Sequence, residues 1–428
     1  MKNNKFIVST LILIIGGMFT KLLGFIIKII YTRIIGEDAI SLYMLVMPTY
    51  SLLITIASLA LPIAISKLVA EGKNSIKLAI NTGVIILFTN FVIILTMFLT
   101  SSFIATNLLN EPRCKPLLIA CSLTLPFISI SSLIKGYFFG KQKVYPYAIS
   151  NILEQVVRLV IISLVLPILI KKGIIYAVLG LILLSIISEI SSIIIFMFFL
   201  PKKFVIHKED FIPSKYYIKE ILGVSIPTVS SKIIGNIGFF FEPIILTNVL
   251  MFCGYNSTYI IREYGAYNAY SLALLTMPGF FINALCQAIV PEVSKYLHNK
   301  KMIKRRVIQA LTFSFVIGFI SSIIIFIFRD LLLSVVYNTT TGANYISVLA
   351  PVFVLFYLEA PLMSTLQAIG KSMLTMKITT FGVIVKLLSL FLLSLCHIGI
   401  YSLVYSEIIN IIFVVLINAF YIKKYIFN

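Results

Sequence analysis

The sequence predicts an all-α membrane protein, a bundle of about twelve transmembrane spans arranged as two pseudo-symmetric six-helix halves. Three observations predict it. Hydrophobic residues fill 60% of the 428 positions and charged residues only 12%, about half the roughly 25% of a soluble domain, and the mean hydropathy is +1.07. The apolar residues gather into runs of about 20, the length that carries a helix across a hydrocarbon core of about 30 Å. Short patterns in the first half also recur, in the same order, in the second.

Windows of about 19 residues place spans near 7–35, 42–66, 78–104, 116–138, 147–170, 174–200, 218–249, 265–290, 308–328, 344–368, 375–396 and 399–421. All are expected to be helical, because an unpaired backbone group finds no water partner in hydrocarbon. Lys2 and Lys5 ahead of the first run give it the look of a signal peptide. No small-residue cleavage site follows, and apolar sequence continues past Lys21 to Ile35, so an uncleaved first span is expected.

The repeat divides the chain into an N-terminal lobe (1–200), a Lys-rich linker with Pro213 (201–217) and a C-terminal lobe (218–428). Thr20-Lys21-Leu22-Leu23-Gly24 in span 1 matches Ser231-Lys232-Ile233-Ile234-Gly235 in span 7. Met47-Pro48, then Pro62 with Ser66-Lys67, matches Met277-Pro278, then Pro291 with Ser294-Lys295. Gly140-Lys141 matches Gly370-Lys371, Val157-Arg158-Leu159 matches Val385-Lys386-Leu387, and Ser188-Glu189-Ile190 matches Ser406-Glu407-Ile408. Six spans per half give both halves the same orientation. That arrangement implies a pseudo-two-fold axis along the membrane normal and a binding site between the halves near the midplane.

Charge placement orients the chain. Of 35 Lys and Arg, 23 fall in segments on the side of the N-terminus, 7 in the opposite loops and 5 within spans. Basic loops face the cytoplasm, so both termini are expected there. The same placement turns the net charge of +20 toward anionic lipid and away from nucleic acid. Five cysteines form no CxxC or Cys/His cluster, and the three histidines lie far apart. No disulfide framework or metal site is expected. No Ser/His/Asp set and no P-loop stands in the sequence, so no enzymatic activity and no cofactor are expected. Energy for transport would come from the substrate gradient, from Na+ or H+, or from the membrane potential.

Ten charged residues lie deep within the spans, away from their end turns: Lys21, Lys28, Glu154, Arg158, Glu189, Lys232, Glu242, Glu359, Lys386 and Glu407. Each would cost about 2.5–3.5 kcal/mol at the bilayer centre, so they are expected to line a wet cavity or to pair. Gly17, Lys21, Gly24 and Lys28 recur at spacings of four, three and four and form one stripe of span 1. Span 7 repeats it with Thr228, Lys232 and Gly235. Glu154 and Arg158, four apart, either neutralise each other or serve a cavity. Lys386 has Gly382 at the position of Glu154, so it is expected to lack a local partner and to face the cavity. Lys28 and Arg33 can also snorkel to the outer interface. Prolines 62, 126, 227, 243, 278 and 361 are expected to bend helices, and Gly136 with Gly140 to let helices pack closely.

Several segments resemble a known family. They are Lys21-Leu22-Leu23-Gly24-Phe25, Arg33-Ile34-Ile35-Gly36-Glu37, the run from Leu61-Pro62 to Ala70-Glu71, Lys135-Gly136-Tyr137 through Gln142, and Leu153-Glu154-Gln155-Val156-Val157-Arg158. The chain resembles the stage V sporulation protein B family, oligosaccharidyl-lipid flippases of the multidrug/oligosaccharidyl-lipid/polysaccharide exporter superfamily. The resemblance is densest over residues 10–160. It implies flipping of an undecaprenyl-pyrophosphate-linked peptidoglycan precursor for the spore cortex, in the cell membrane or the membrane around the forespore. Many relatives carry two further C-terminal spans, whose lipid groove this chain is expected to lack.

By analogy, Lys21, Lys28, Arg158, Lys232 and Lys386 would hold the pyrophosphate. Glu154, Glu189, Glu242, Glu359 and Glu407 would be coupling or structural carboxylates. The implied partners are the anionic lipid-linked glycan, the bilayer and cortex-synthesis enzymes. The alternatives are a cation-coupled drug exporter of the same superfamily, whose substrates these lysines would repel, and a non-transporting scaffold for cortex enzymes.

Overall fold

The computed structural model describes residues 2–200, 213–296 and 299–427, and among them every regular element is helical. Fifteen α-helices follow one another: α1 (Lys2–Ser58), α2 (Leu61–Ala70), α3 (Ser75–Phe103), α4 (Cys114–Gly140), α5 (Val144–Ile170), α6 (Ile174–Phe199), α7 (Lys215–Phe252), α8 (Ser257–Gly265), α9 (Leu272–Thr276), α10 (Gly279–Lys295), α11 (Lys300–Ile327), α12 (Arg329–Tyr337), α13 (Ala343–Ala368), α14 (Ser372–Ser394) and α15 (Tyr401–Ile422). π-helical turns stand at Ile104–Leu108, Ala266–Ser271 and Lys423–Phe427.

Among the described residues ten helices are long and apolar enough to cross a membrane. The difference from twelve has two physical causes. The first of the ten, Ile15–Ala70, contains two predicted spans, divided where Gly36 takes a non-helical φ of 75° and ψ of 178°. The predicted eighth span, 265–290, is not one helix. It runs through the π-turn and α9, then breaks at Met277-Pro278 before α10.

The expected prolines act unequally. Pro126 and Pro361 stay inside continuous helices. Pro62 instead opens α2 just behind Leu59 and Ala60, which hold left-handed φ values of 44° and 51°. A proline in the first helical turn sacrifices no intrahelical bond, so the chain turns here and restarts.

The contacts divide the chain into two compact units, residues 1–237 and 238–428. This boundary lies inside α7, beyond the linker 201–217, of which 201–212 fall outside the described residues. In the first unit α5 packs on α1 and α6, while α4 packs on α2, α3 and α6. Gly136 and Gly140 do permit close packing. A Cβ on Gly140 would stand 2.6 Å from Val69 Cβ and 2.7 Å from the Ser66 carbonyl, and one on Gly136 3.0 Å from Ile65 Cβ. The start of α7 covers the other side of α2 and α3 through Ile221, which is buried with Leu61, Ile65, Leu78 and Ile86. In the second unit α13 is central, against α10, α11 and α15, and α14 packs on α15.

Candidate functional site

In the first unit, a cavity of about 490 Å³ opens where α1 meets α5 and α6. Its polar wall is made of Lys28, Tyr31, Tyr43 and Tyr50 from α1, Glu154, Gln155 and Arg158 from α5, and Ser185 and Glu189 from α6. The i, i+4 step from Glu154 to Arg158 keeps both on one helix face, and the same step joins Gly24 to Lys28. Among the described residues, nothing beyond the adjoining turn of α1 itself lies within 4 Å of a Cβ built on Gly17 or Gly24. The small-residue stripe of α1 therefore faces open space, unlike Gly136 and Gly140, which are filled against α2.

The buried charges interlock. Glu154 is 5% exposed, and its Oε2 accepts a hydrogen bond from Lys135 Nζ on α4 at 3.1 Å. Its Oε1 lies 3.5 Å from Arg158 Nη2, the longer of the two contacts. Arg158 donates through Nε to Ser188 Oγ at 3.1 Å. The local Glu154–Arg158 pairing is thus present but shared. Lys135 carries the closer half of it. Glu189, 8% exposed, leaves its Oε2 without a hydrogen-bond partner.

The second unit builds a different cluster from the matching spans. Lys386 on α14 places Nζ 2.6 Å from Glu242 Oε2 on α7 and 2.6 Å from Glu407 Oε2 on α15. Tyr264 donates to the other Glu242 oxygen at 3.5 Å. This corrects the expectation that Lys386 lacks a local partner. Its own helix offers only Gly382 one turn back, but two neighbouring helices each supply a carboxylate. Helix periodicity along one span cannot see such partners. Glu359 on α13 is half-buried.

Five cations were expected to act together. Lys28 and Arg158 line one cavity, Lys386 sits in the second unit's ionic cluster, and Lys21 and Lys232 are exposed on their own units. The sequence reading missed Lys135. It lies three residues from the end of predicted span 4 and was counted with the inner-edge charges, yet its side chain is only 18% exposed. The signal was available in the sequence: Lys135 precedes Gly136, so it rides on a stretch of helix that must be buried against a neighbour. The tyrosines of α1 were also missed, since nothing in a helical period separates a cavity-lining tyrosine from a core one.

The described residues form a helical membrane bundle with a charged cavity inside the first unit. Solved structures share this architecture. An inward-facing multidrug resistance MATE transporter of the MOP superfamily matches with a TM-score of 0.77 at 16% identity, over 95% of this chain and 94% of that one. The lipid II flippase MurJ in an inward closed conformation matches with a TM-score of 0.75 at 14% identity, over 96% and 87%.

In sequence, residues 7–297 match the family described as polysaccharide biosynthesis protein, and residues 243–392 match MatE. Stage V sporulation protein B of Bacillus subtilis (strain 168) is 33% identical, over 99% of this chain and 85% of that protein. Lipid II flippase MurJ of the same organism is 24% identical over 37% of this chain and 32% of its own length. The chain belongs to the polysaccharide biosynthesis protein family, in the branch of stage V sporulation protein B, among the membrane transporters and flippases of the MOP superfamily.

Proposed function

We propose that this protein flips an undecaprenyl-pyrophosphate-linked peptidoglycan precursor across the cell membrane and so supports spore cortex synthesis. The observation that carries this reading is the charge balance around the first-unit cavity. Lys28, Arg158, Glu154 and Glu189 line it and Lys135 pairs with Glu154, so the cluster holds three cations and two carboxylates. The surplus suits an anion. Lys135 takes the closer share of Glu154, so Arg158, held by one bond to Ser188 and a 3.5 Å contact with Glu154, keeps further N–H groups for a ligand. A planar guanidinium matches two phosphate oxygens at once, and Lys28 adds a point charge one helix away. A cationic drug would meet the wrong sign here.

Further support comes from two relatives, one named as a stage V sporulation protein and the other as a lipid II flippase. The glycan would extend along the tyrosines of α1, and the polyprenyl chain would stay in lipid. The test is a flipping assay in proteoliposomes with a fluorescent pyrophosphoryl polyprenol glycan. Lys28→Ala with Arg158→Ala should lower the initial rate by roughly tenfold or more, since each lost charged hydrogen bond is worth about 1.5–3 kcal/mol. A native rate in a well-folded double variant would overturn the reading.

A further inference from the structure

At one end of the second unit, three segments converge that contain Lys and Arg but no Asp or Glu: 299–307, 369–377 and 422–427. Two cation–ring contacts bring them together. Lys304 Nζ on α11 lies 4.9 Å from the ring centre of Phe427, and Lys371 Nζ, just before α14, lies 4.9 Å from that of Tyr425. Both rings belong to the π-turn Lys423–Phe427, which packs on α11 and on the end of α15. Lys300, Lys301, Lys304, Arg305, Lys371, Lys377, Lys423 and Lys424 are all exposed. Among the described residues none of them pairs with a carboxylate.

The same face of α11 continues as a lipid-compatible track. Lys304, Ile308, Thr312, Phe315, Phe319 and Ile323 follow at spacings of four and three, and all are exposed. The Phe315 and Phe319 rings stack with centres 5.8 Å apart. Ammonium groups at the head of an exposed apolar stripe match the two ends of one molecule, an anionic headgroup and its acyl chain. Like charges gathered this closely repel one another unless an anion sits among them, and clusters of Lys and Arg at the end of a span attract acidic lipid. The ring contacts hold two of the ammonium groups in place, which lowers the entropy lost on binding.

We infer that this collar is a binding site for anionic glycerophospholipid, with the phosphodiester among Lys300, Lys304, Arg305 and Lys371 and an acyl chain along Phe315 and Phe319. The site is separate from the first-unit cavity, so its fate does not decide the flipping assay.

The experiment is native mass spectrometry of the full chain in detergent, titrated with short-chain phosphatidylglycerol or phosphatidylcholine. The native protein should retain phosphatidylglycerol at least about tenfold better, given the attraction of each nearby basic residue. Replacing Lys300, Lys301, Lys304 and Arg305 together by alanine should abolish that preference, and replacing the three lysines by arginine should keep it. Raising salt from 0.05 to 0.5 M should weaken retention by the native protein, which keeps the test open if the fourfold variant does not fold. Equal retention of the two lipids, or a preference indifferent both to salt and to a folded fourfold variant, would overturn the inference. Displacement of phosphatidylglycerol by an equimolar polyprenyl pyrophosphate would also overturn it, by making the collar a port for the transported lipid.

Discussion

Replacing Lys386 by methionine removes an ammonium group that joins three helices of the second unit. The side chain keeps its length and loses its charge, so packing changes little and the electrostatics change fully. Glu242 and Glu407, whose side chains are 3% and 11% exposed, each lie 2.6 Å from the ammonium nitrogen. Without it, two carboxylates remain in a low-dielectric interior with no counter-ion among them. Breaking a buried pair by deleting one partner costs about 3–5 kcal/mol. The second carboxylate does not double that figure, because both contacts share one ammonium group and losses within one network are not additive. Unfolding by dodecyl sulfate, followed by far-ultraviolet circular dichroism in mixed micelles, would read the loss. Adding Glu242→Gln and Glu407→Gln to the same chain should recover most of it, since an uncharged trio has no ion to desolvate. A Lys386→Met protein as stable as the native one, or a triple variant no more stable than the single, would refute the clamp. Lost flipping at unchanged stability would return Lys386 to a role in substrate binding.

Lys135→Met should turn Glu154 toward Arg158 and weaken binding of a pyrophosphoryl lipid by about tenfold or more, while Lys135→Arg should preserve it; equilibrium binding in detergent checks both. Gly140→Leu should separate α4 from α2 and destabilise the first unit by about 1–3 kcal/mol, read by the same unfolding assay, because a Cβ alone would stand 2.6 Å from Val69. Ahead of the apolar stretch Lys232–Phe252 of α7, Lys73 bridges the loop after α2 to Glu220 at 2.9 Å and to Tyr216 at 2.7 Å. The Tyr216 hydroxyl and the Lys73 ammonium hold the Glu220 carboxyl below the usual carboxylate range. The latch should therefore be intact above an ordinary glutamate pKa of about 4.3 and loosen as pH falls through the lowered value, with hydrogen exchange at 214–222 rising only below about pH 4. Lys21→Ala with Lys232→Ala should leave membrane levels near normal and abolish cortex formation in a complementation test; full cortex formation would exclude a role for these exposed lysines.

Apolar run length alone made the spans legible, since a bilayer admits little but a helix. Where the spans break was less legible. Gly36 and Pro62 carry backbone chemistry that points to a boundary, but Leu59 and Ala60 have ordinary side chains, and only their packing holds them at left-handed φ. The eighth span had an apolar composition that promised one helix, and composition says nothing of a π-turn. Site legibility followed the same line. Contacts within one helix, such as Glu154 with Arg158, could be read from an i, i+4 step. Contacts between helices could not, which is why the partners of Lys135 and of Lys386 emerged only with the fold.

The repeat sharpens the meaning of that difference. Spans 5 and 11 place a cation at matching positions, Arg158 and Lys386, and spans 6 and 12 place a carboxylate at matching positions, Glu189 and Glu407. The same pattern nevertheless has opposite electrostatic results, because the third participants differ. In the second unit the added group is an acid, Glu242, and the cation is held between two carboxylates. In the first unit the added group is a base, Lys135, which occupies Glu154 and leaves Arg158 beside an open cavity. One copy thus serves as an ionic clamp across α7, α14 and α15, and the other keeps a guanidinium available. Matching spans whose charged neighbours differ, with Glu154 standing where the other has Gly382 and with Lys135 and Glu242 coming from non-matching spans, can separate stability from binding in this way. Lys135→Glu should set a carboxylate against Glu154, draw Arg158 in as the counter-ion of both and lower binding of a pyrophosphoryl lipid. A Lys135→Glu protein that binds the lipid as well as the native chain would show that Arg158 was never the limiting cation.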